Sequence, residues 1–218
     1  MNQDEGVIGL KEQWIKLAGK YSNEAGLVLR LFAEIEAAYG SSDRHYHNLL
    51  HIDALLQFSN QYQDHLHDKE TVDFSIFYHD IIYRVERSDN EIESAAIAQN
   101  QLRDLGLPEE KISIIVGYIN ATRLHAPVDS GNEDDLAWFL DFDMSILGAK
   151  WEVYLQYSQK VRKEYMIYPD VAYLKGRKKF IQETLNTPFI FNTPEFRSMY
   201  EQQARVNMEK ELSILNTR

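Results

Sequence analysis

Cysteine is absent from the 218 residues. That excludes a disulfide framework, a thiolate nucleophile and any Cys-ligated zinc or iron–sulfur centre, so a bound metal has to use His, Asp and Glu. Basic residues are in deficit, 23 against 34 acidic ones, for a net charge of −11. A field of that sign repels polyanions, and duplex nucleic acid is not an expected partner. A small phosphorylated substrate stays open, because a bound metal or a local cation cluster outweighs a distant net charge. Long apolar runs are missing too, and no stretch nears the roughly eighteen residues that a membrane span needs. The first residues, with Asp4 and Glu5, lack the basic start and apolar run of a secretory signal. The expectation is a soluble, cytoplasmic protein with no membrane partner. Neither a phosphate-binding glycine loop nor a serine nucleophile elbow occurs, so ATP-driven and serine-hydrolase chemistry recede.

Glycine and proline are also scarce, at 10 and 5 residues. Apolar side chains instead recur at steps of three and four, the helical period, and the fold class this predicts is all-α. Leu10, Trp14 and Leu17 open the first amphipathic segment, and Leu27, Leu31, Ile35 and Tyr39 form the second, closed by Gly40. Asp43 is the expected cap of a helix from about Arg44 to Gln63. Thr71 to Tyr83 reads as a buried helix, despite β-branched and aromatic residues that also suit a strand. Helices then follow from Ser88–Asn90 to about Leu105, from Leu107 to about Leu124, and over Leu136–Leu147, Trp151–Tyr165, Val171–Leu185 and Pro194–Leu215, with Ala126 to Asn132 a loop. With no internal repeat, one helical domain over 1–218 is the simplest partition. Its motif-bearing core covers about 44–150, with the helices of 151–218 packed on it.

The seven histidines are unevenly spread. His45, His47, His51 and His79 fall in two short apolar stretches, and His79 is followed directly by Asp80. On a helix His47 and His51 share a face one turn apart and can address one small site. Imidazole nitrogen with carboxylate oxygen suits borderline divalent ions. Leu140-Asp141-Phe142-Asp143 places two carboxylates in an otherwise apolar segment, where each needs a cation or hydrogen-bond donors, and either could join the set. His51, His79, Asp80 and one of these acids would leave coordination positions for water, the arrangement a metal-dependent hydrolase uses.

These residues resemble a known family. Tyr46-His47-Asn48-Leu49-Leu50-His51, Phe77-Tyr78-His79-Asp80, Asp89-Asn90-Glu91-Ile92-Glu93-Ser94 and Leu140-Asp141-Phe142-Asp143-Met144-Ser145 look like the predicted metal-dependent phosphohydrolases of the HD superfamily. The likeness runs on through Arg162-Lys163-Glu164-Tyr165, Tyr168-Pro169-Asp170 and Gly176-Arg177. It implies an all-helical fold and a metal set of His51, His79, Asp80 and Asp143, holding a divalent ion that the residues do not distinguish among Mn, Fe, Zn, Mg, Co and Ni. The His47-to-His51 run is also similar to that of the helical cyclic-nucleotide phosphodiesterases. That likeness implies His47 as general acid and Asp143 rather than Asp141 as ligand, leaving Asp141 to handle a proton or position a ligand. The further histidine that those enzymes carry soon after His-Asp is missing, so a cyclic nucleotide is not implied. The activity expected is hydrolysis of a small phosphoester or phosphoanhydride such as a nucleotide; the alternative is a metal- or nucleotide-binding module without catalysis.

Other residues carry two readings each. Glu91 either orients water at the metal or simply favours a helix N-terminus. Arg123 and His125 either touch substrate phosphate or close an apolar helix, where a histidine is favoured by the dipole. Arg177, in the basic run Lys175 to Lys179, is either a two-pronged phosphate clamp or part of a solvated face. Arg44, beside the histidine stretch, is a second phosphate-binding candidate. An amphipathic C-terminal helix leaves a homo-oligomer open.

Overall fold

The computed structural model describes residues 3–124 and 135–217, and every regular element among them is helical. The all-α expectation holds. Contacts divide the chain into two compact units, Met1–His125 and Ala126–Arg218.

The first unit contains α1 (Gln3–Ala18), α2 (Ala25–Tyr39), α3 (Leu49–Gln61), α4 (Lys69–Tyr78), α5 (Asn90–Asp104) and α6 (Glu109–Ala121). Val28, Leu31, Phe32, Ile35 and Tyr39 form the buried stripe of α2, the three-and-four spacing that an amphipathic helix requires. α4 is different: Thr71, Val72, Phe74, Ser75, Ile76, Phe77 and Tyr78 are all buried, and only Lys69, Glu70 and Asp73 reach solvent in part. The strand-like composition of this segment reflects that burial. Asp68 starts α4 by accepting from the Thr71 N–H and hydroxyl. Trp14 of α1 packs edge-on against Phe74, Phe77 and Tyr78 and donates its indole N–H to the Val28 carbonyl at 2.8 Å. Between α5 and α6 the chain turns at Gly106, whose φ of 88° lies in the left-handed region where a side chain is strained.

Two boundary shifts bear on the site. The helix expected through Tyr83 ends at Tyr78, which leaves His79 as its C-cap and Asp80 just beyond it. The helix expected from Arg44 begins at Leu49, because Asn48 is its cap: the Asn48 backbone is extended and its side-chain oxygen accepts from Leu50 N–H at 3.0 Å. His47 therefore lies in the bend before α3, not on its face.

The second unit contains α7 (Asp135–Met144), which passes through a 3₁₀ turn at Ser145–Gly148, then α8 (Trp151–Glu164), α9 (Asp170–Leu185), α10 (Pro194–Phe196) and α11 (Gln202–Asn216). A π-helical turn at Arg197–Glu201 joins the last two. α7, like α4, is buried nearly all round, and Trp138, Phe142, Phe191, Phe196 and Tyr200 form an aromatic cluster beside it.

Candidate metal centre

Two helix ends in the first unit create the site. His51 stands in the first turn of α3 and is buried, and His79 caps the C-terminus of α4 with 1% of its surface exposed. Their Nε2 atoms face each other at 3.2 Å. Asp80, one residue on, brings its Oδ2 to 3.3 Å from the same His79 nitrogen, with its side chain 15% exposed. Among the described residues these three are the group of His and carboxylate side chains that could hold one ion.

The tautomer of His79 follows from its surroundings. Its Nδ1 lies 2.9 Å from the Ile76 carbonyl oxygen, and a carbonyl only accepts, so Nδ1 carries the hydrogen. In the neutral ring Nε2 then presents a lone pair to His51, the arrangement typical of a metal-ligating histidine whose other nitrogen is held by a carbonyl. Two ring nitrogens this close need a proton or a cation between them. With metal–nitrogen bonds of about 2.0–2.1 Å, the 3.2 Å separation subtends about 100° at a shared ion. That lies between the octahedral and tetrahedral angles, and the residues fit a divalent metal.

The backbone around Asp80 is fixed from both sides. Its N–H donates to the Tyr39 hydroxyl at 3.1 Å, and its carbonyl accepts from Arg44 Nη1 at 2.6 Å. Arg44 also donates through Nη2 to the Ile81 carbonyl at 2.9 Å and through Nη1, more weakly, to the His47 carbonyl at 3.3 Å. Next along the chain, Ser94 and Asn90 of α5 bond the backbone of Ile82 and Arg84. The α5 N-terminus, with half-buried Glu91 in its first turn, is thereby held to the segment that follows the ligands.

His47 stays beside the site although it is not helical. Its ring stacks on Tyr83 with centroids 4.2 Å apart, meets Tyr46 edge-on at 4.9 Å and lies 5.9 Å from the His51 ring. Tyr46 in turn lies 5.1 Å from His51. In the sequence Tyr46 belongs to the first motif, Tyr83 ends the Thr71–Tyr83 segment and Tyr39 closes an amphipathic stripe; nothing in their spacing distinguishes a tyrosine that frames a site from one that fills a core.

The remaining expectations divide. Asp143 is half-buried at the end of α7. Asp141 is fully buried and bound to the chain around residue 192. One oxygen accepts from the Asn192 N–H at 2.6 Å and its side-chain amide at 3.2 Å, and the other accepts from the Thr193 N–H and hydroxyl, both at 2.7 Å. Burial pushes its carboxyl up to about 6 against the pull of those four donors. These four hydrogen bonds hold the turn around residue 192.

Arg177 is not a free clamp either. It is buried, and its guanidinium donates twice to Glu211, at 3.0 and 2.9 Å, and once to the Tyr157 hydroxyl at 3.3 Å. Arg44, spent on three backbone carbonyls, likewise has its donors turned to the protein rather than to a phosphate. Arg123 is exposed just past α6 and close enough to Asp89, at the start of α5, to lower that carboxyl's pKa, a smaller effect than the hydrogen bonds from Arg87. His125 lies outside the described residues. No helix among the described residues is long and apolar enough to cross a membrane. No family model, no curated protein and no solved structure matches the chain.

Proposed function

We propose that this chain is a divalent-metal-dependent phosphohydrolase of the HD type, acting on a small phosphoester or phosphoanhydride, with nucleotides as the leading class. The observation that carries the reading is the convergence of His51 Nε2, His79 Nε2 and Asp80 Oδ2 at the junction of two helix ends. Three protein donors that leave coordination positions open are the mark of a catalytic rather than a structural metal site. A divalent ion there supplies a Lewis acid for a phosphoryl oxygen and acidifies water at neutral pH.

The side chains supply the rest. His51 and His79 each offer an Nε2 lone pair, and the Ile76 carbonyl keeps the second ring in the required tautomer. Asp80 adds a negative charge that favours a cation over a shared proton. His47, which packs on Tyr83 and Tyr46, is assigned the role of giving a proton to the departing oxygen, a step worth about 10²–10⁴ in rate when the donor is well positioned. Glu91 is the carboxylate assigned to orienting the attacking water.

Metal analysis of the purified protein, followed by phosphate release from nucleotides and sugar phosphates with Mn, Fe, Co, Ni and Mg, tests this. Metal-dependent turnover that disappears in Asp80→Ala supports it. Full activity in Asp80→Ala overturns it, and tight metal binding with no turnover on any member of the panel favours a binding module instead.

A further inference from the structure

Arg44 bonds to the backbone on two sides of this site. Arg44 is 8% exposed, and its guanidinium carbon lies over two aromatic rings, 4.9 Å from the Tyr39 centroid and 5.6 Å from that of Tyr83. Its three carbonyl partners come from two separate stretches, His47 on one side and Asp80 with Ile81 on the other. Tyr39 receives the Asp80 N–H, and Tyr83 stacks on the His47 ring. One planar cation is thus bonded to the backbone of a metal-ligand residue and to that of the proton donor, and it packs against the ring that fixes each.

We infer that Arg44 is a positioning residue that couples the bend bearing His47 to the turn bearing Asp80, so that the ligand geometry and the histidine's placement depend on one guanidinium. This rests on the metal reading above. The physical basis is shape: the guanidinium presents N–H groups in a rigid plane and can serve several carbonyls while it packs on aromatic rings. An ammonium on a flexible stem reaches one or two of these acceptors and stacks less well. A buried cation also binds carbonyl oxygens more strongly than a neutral donor does, which suits a joint between two loops. Outer partners of this kind alter metal affinity or activity by about 10–100-fold when removed.

The test compares wild type, Arg44→Gln, Arg44→Lys and a core variant, Ile112→Val, chosen to lower thermal stability without touching the site. Co²⁺ affinity by calorimetry and the visible Co²⁺ spectrum report the ligand geometry. The imidazole nitrogen NMR signals of the metal-free protein report the stacking of His47 on Tyr83. Arg44→Gln is expected to weaken Co²⁺ binding at least tenfold, to change the Co²⁺ spectrum and to shift the His47 signals. Arg44→Lys recovers part of each, and Ile112→Val changes none despite its lower melting temperature. If Arg44→Gln keeps the wild-type Co²⁺ affinity, spectrum and His47 signals, the inference is wrong. Should wild type bind no Co²⁺, the metal reading fails by itself, and the His47 signals in Arg44→Gln then decide the coupling alone: shifted, it stands; unmoved, it falls.

Discussion

A single carboxylate oxygen of Asp141 accepts both the backbone N–H and the hydroxyl of Thr193, each at 2.7 Å, across 52 positions of sequence. The Asp141 carboxyl thereby pins the start of α10 to the middle of α7. Desolvation outweighs its donors and raises the pKa to about 6 from an ordinary 3.8. Native protein thus holds this proton more tightly than unfolded chain does. The stabilisation is complete below about pH 4 and is lost as pH rises through about 6, a change of about 3 kcal/mol at 1.36 kcal/mol per unit. In a Trp14→Phe background the remaining tryptophans, Trp138 and Trp151, both report on the second unit. Their urea midpoint should fall between pH 4 and 6.5, and Asp141→Asn should lack that component. Parallel pH curves for the two proteins would count against it.

The buried pair in the second unit behaves differently. Glu211 receives Arg177, the Tyr154 hydroxyl and, at 2.7 Å, the Ser158 hydroxyl, and both charged side chains are 6% exposed. Removing one partner leaves an uncompensated buried charge, which costs about 3–5 kcal/mol, whereas replacing both by apolar groups of similar size is often near neutral. Glu211→Leu should therefore destabilise strongly, and adding Arg177→Met should restore part of the loss in denaturant titrations. A double variant no more stable than Glu211→Leu alone would show that the hydroxyl network, not the ion pair, dominates.

Much of this architecture was legible in the chain. The stripe Leu31, Ile35 and Tyr39 and the buried apolar residues of α4 are local patterns, and local patterns survive in sequence. His51, His79 and Asp80 were readable as clustered histidines with an adjoining acid, although the helix ends that carry them, at Leu49 and Tyr78, differ from those expected at about Arg44 and Tyr83. The losses are long-range. Asp141 looks like a candidate acid until Asn192 and Thr193 fold onto it, and Arg177 looks like a phosphate clamp until Glu211 arrives from another helix. Arg44 beside two histidines reads as an anion binder, because sequence does not reveal that its donors turn to backbone carbonyls. The misplacement of His47 was a contest between caps: Asp43 and Asn48 both qualify, and Asn48 prevails through its bond to Leu50.

Separating binding from turnover is the sharpest check on the site. Asp80→Ala and His79→Ala remove a ligand each and should abolish Mn²⁺ binding by calorimetry together with phosphate release. His47→Ala should leave Mn²⁺ bound within a few-fold while turnover falls by about 10²–10⁴. Equal loss of both properties in His47→Ala would assign that ring to the metal rather than to the leaving group.

Acid should loosen the first unit, for an electrostatic reason opposite in sign to that of Asp141. Partial burial disfavours the Glu70 carboxylate, but hydrogen bonds from Lys20, Tyr21 and Lys111 outweigh it and hold the group at about 2 against an ordinary 4.5. Lys111 also pairs with Asp68 at 3.0 Å, so the cluster ties the turn after α1 and the helix α6 to the beginning of α4. A depressed carboxylate contributes stability above its unfolded pKa and loses it as pH falls through the folded one. Because Glu70 is partly exposed, solvent screening keeps the effect well below what a buried pair gives. Thermal melts of wild type and Glu70→Gln from pH 7 to pH 2 should differ most near neutrality and converge as pH drops from about 4.5 toward 2. A gap that stays constant over that range would mean that the cluster holds by shape and neutral hydrogen bonds, with its charge contributing nothing measurable.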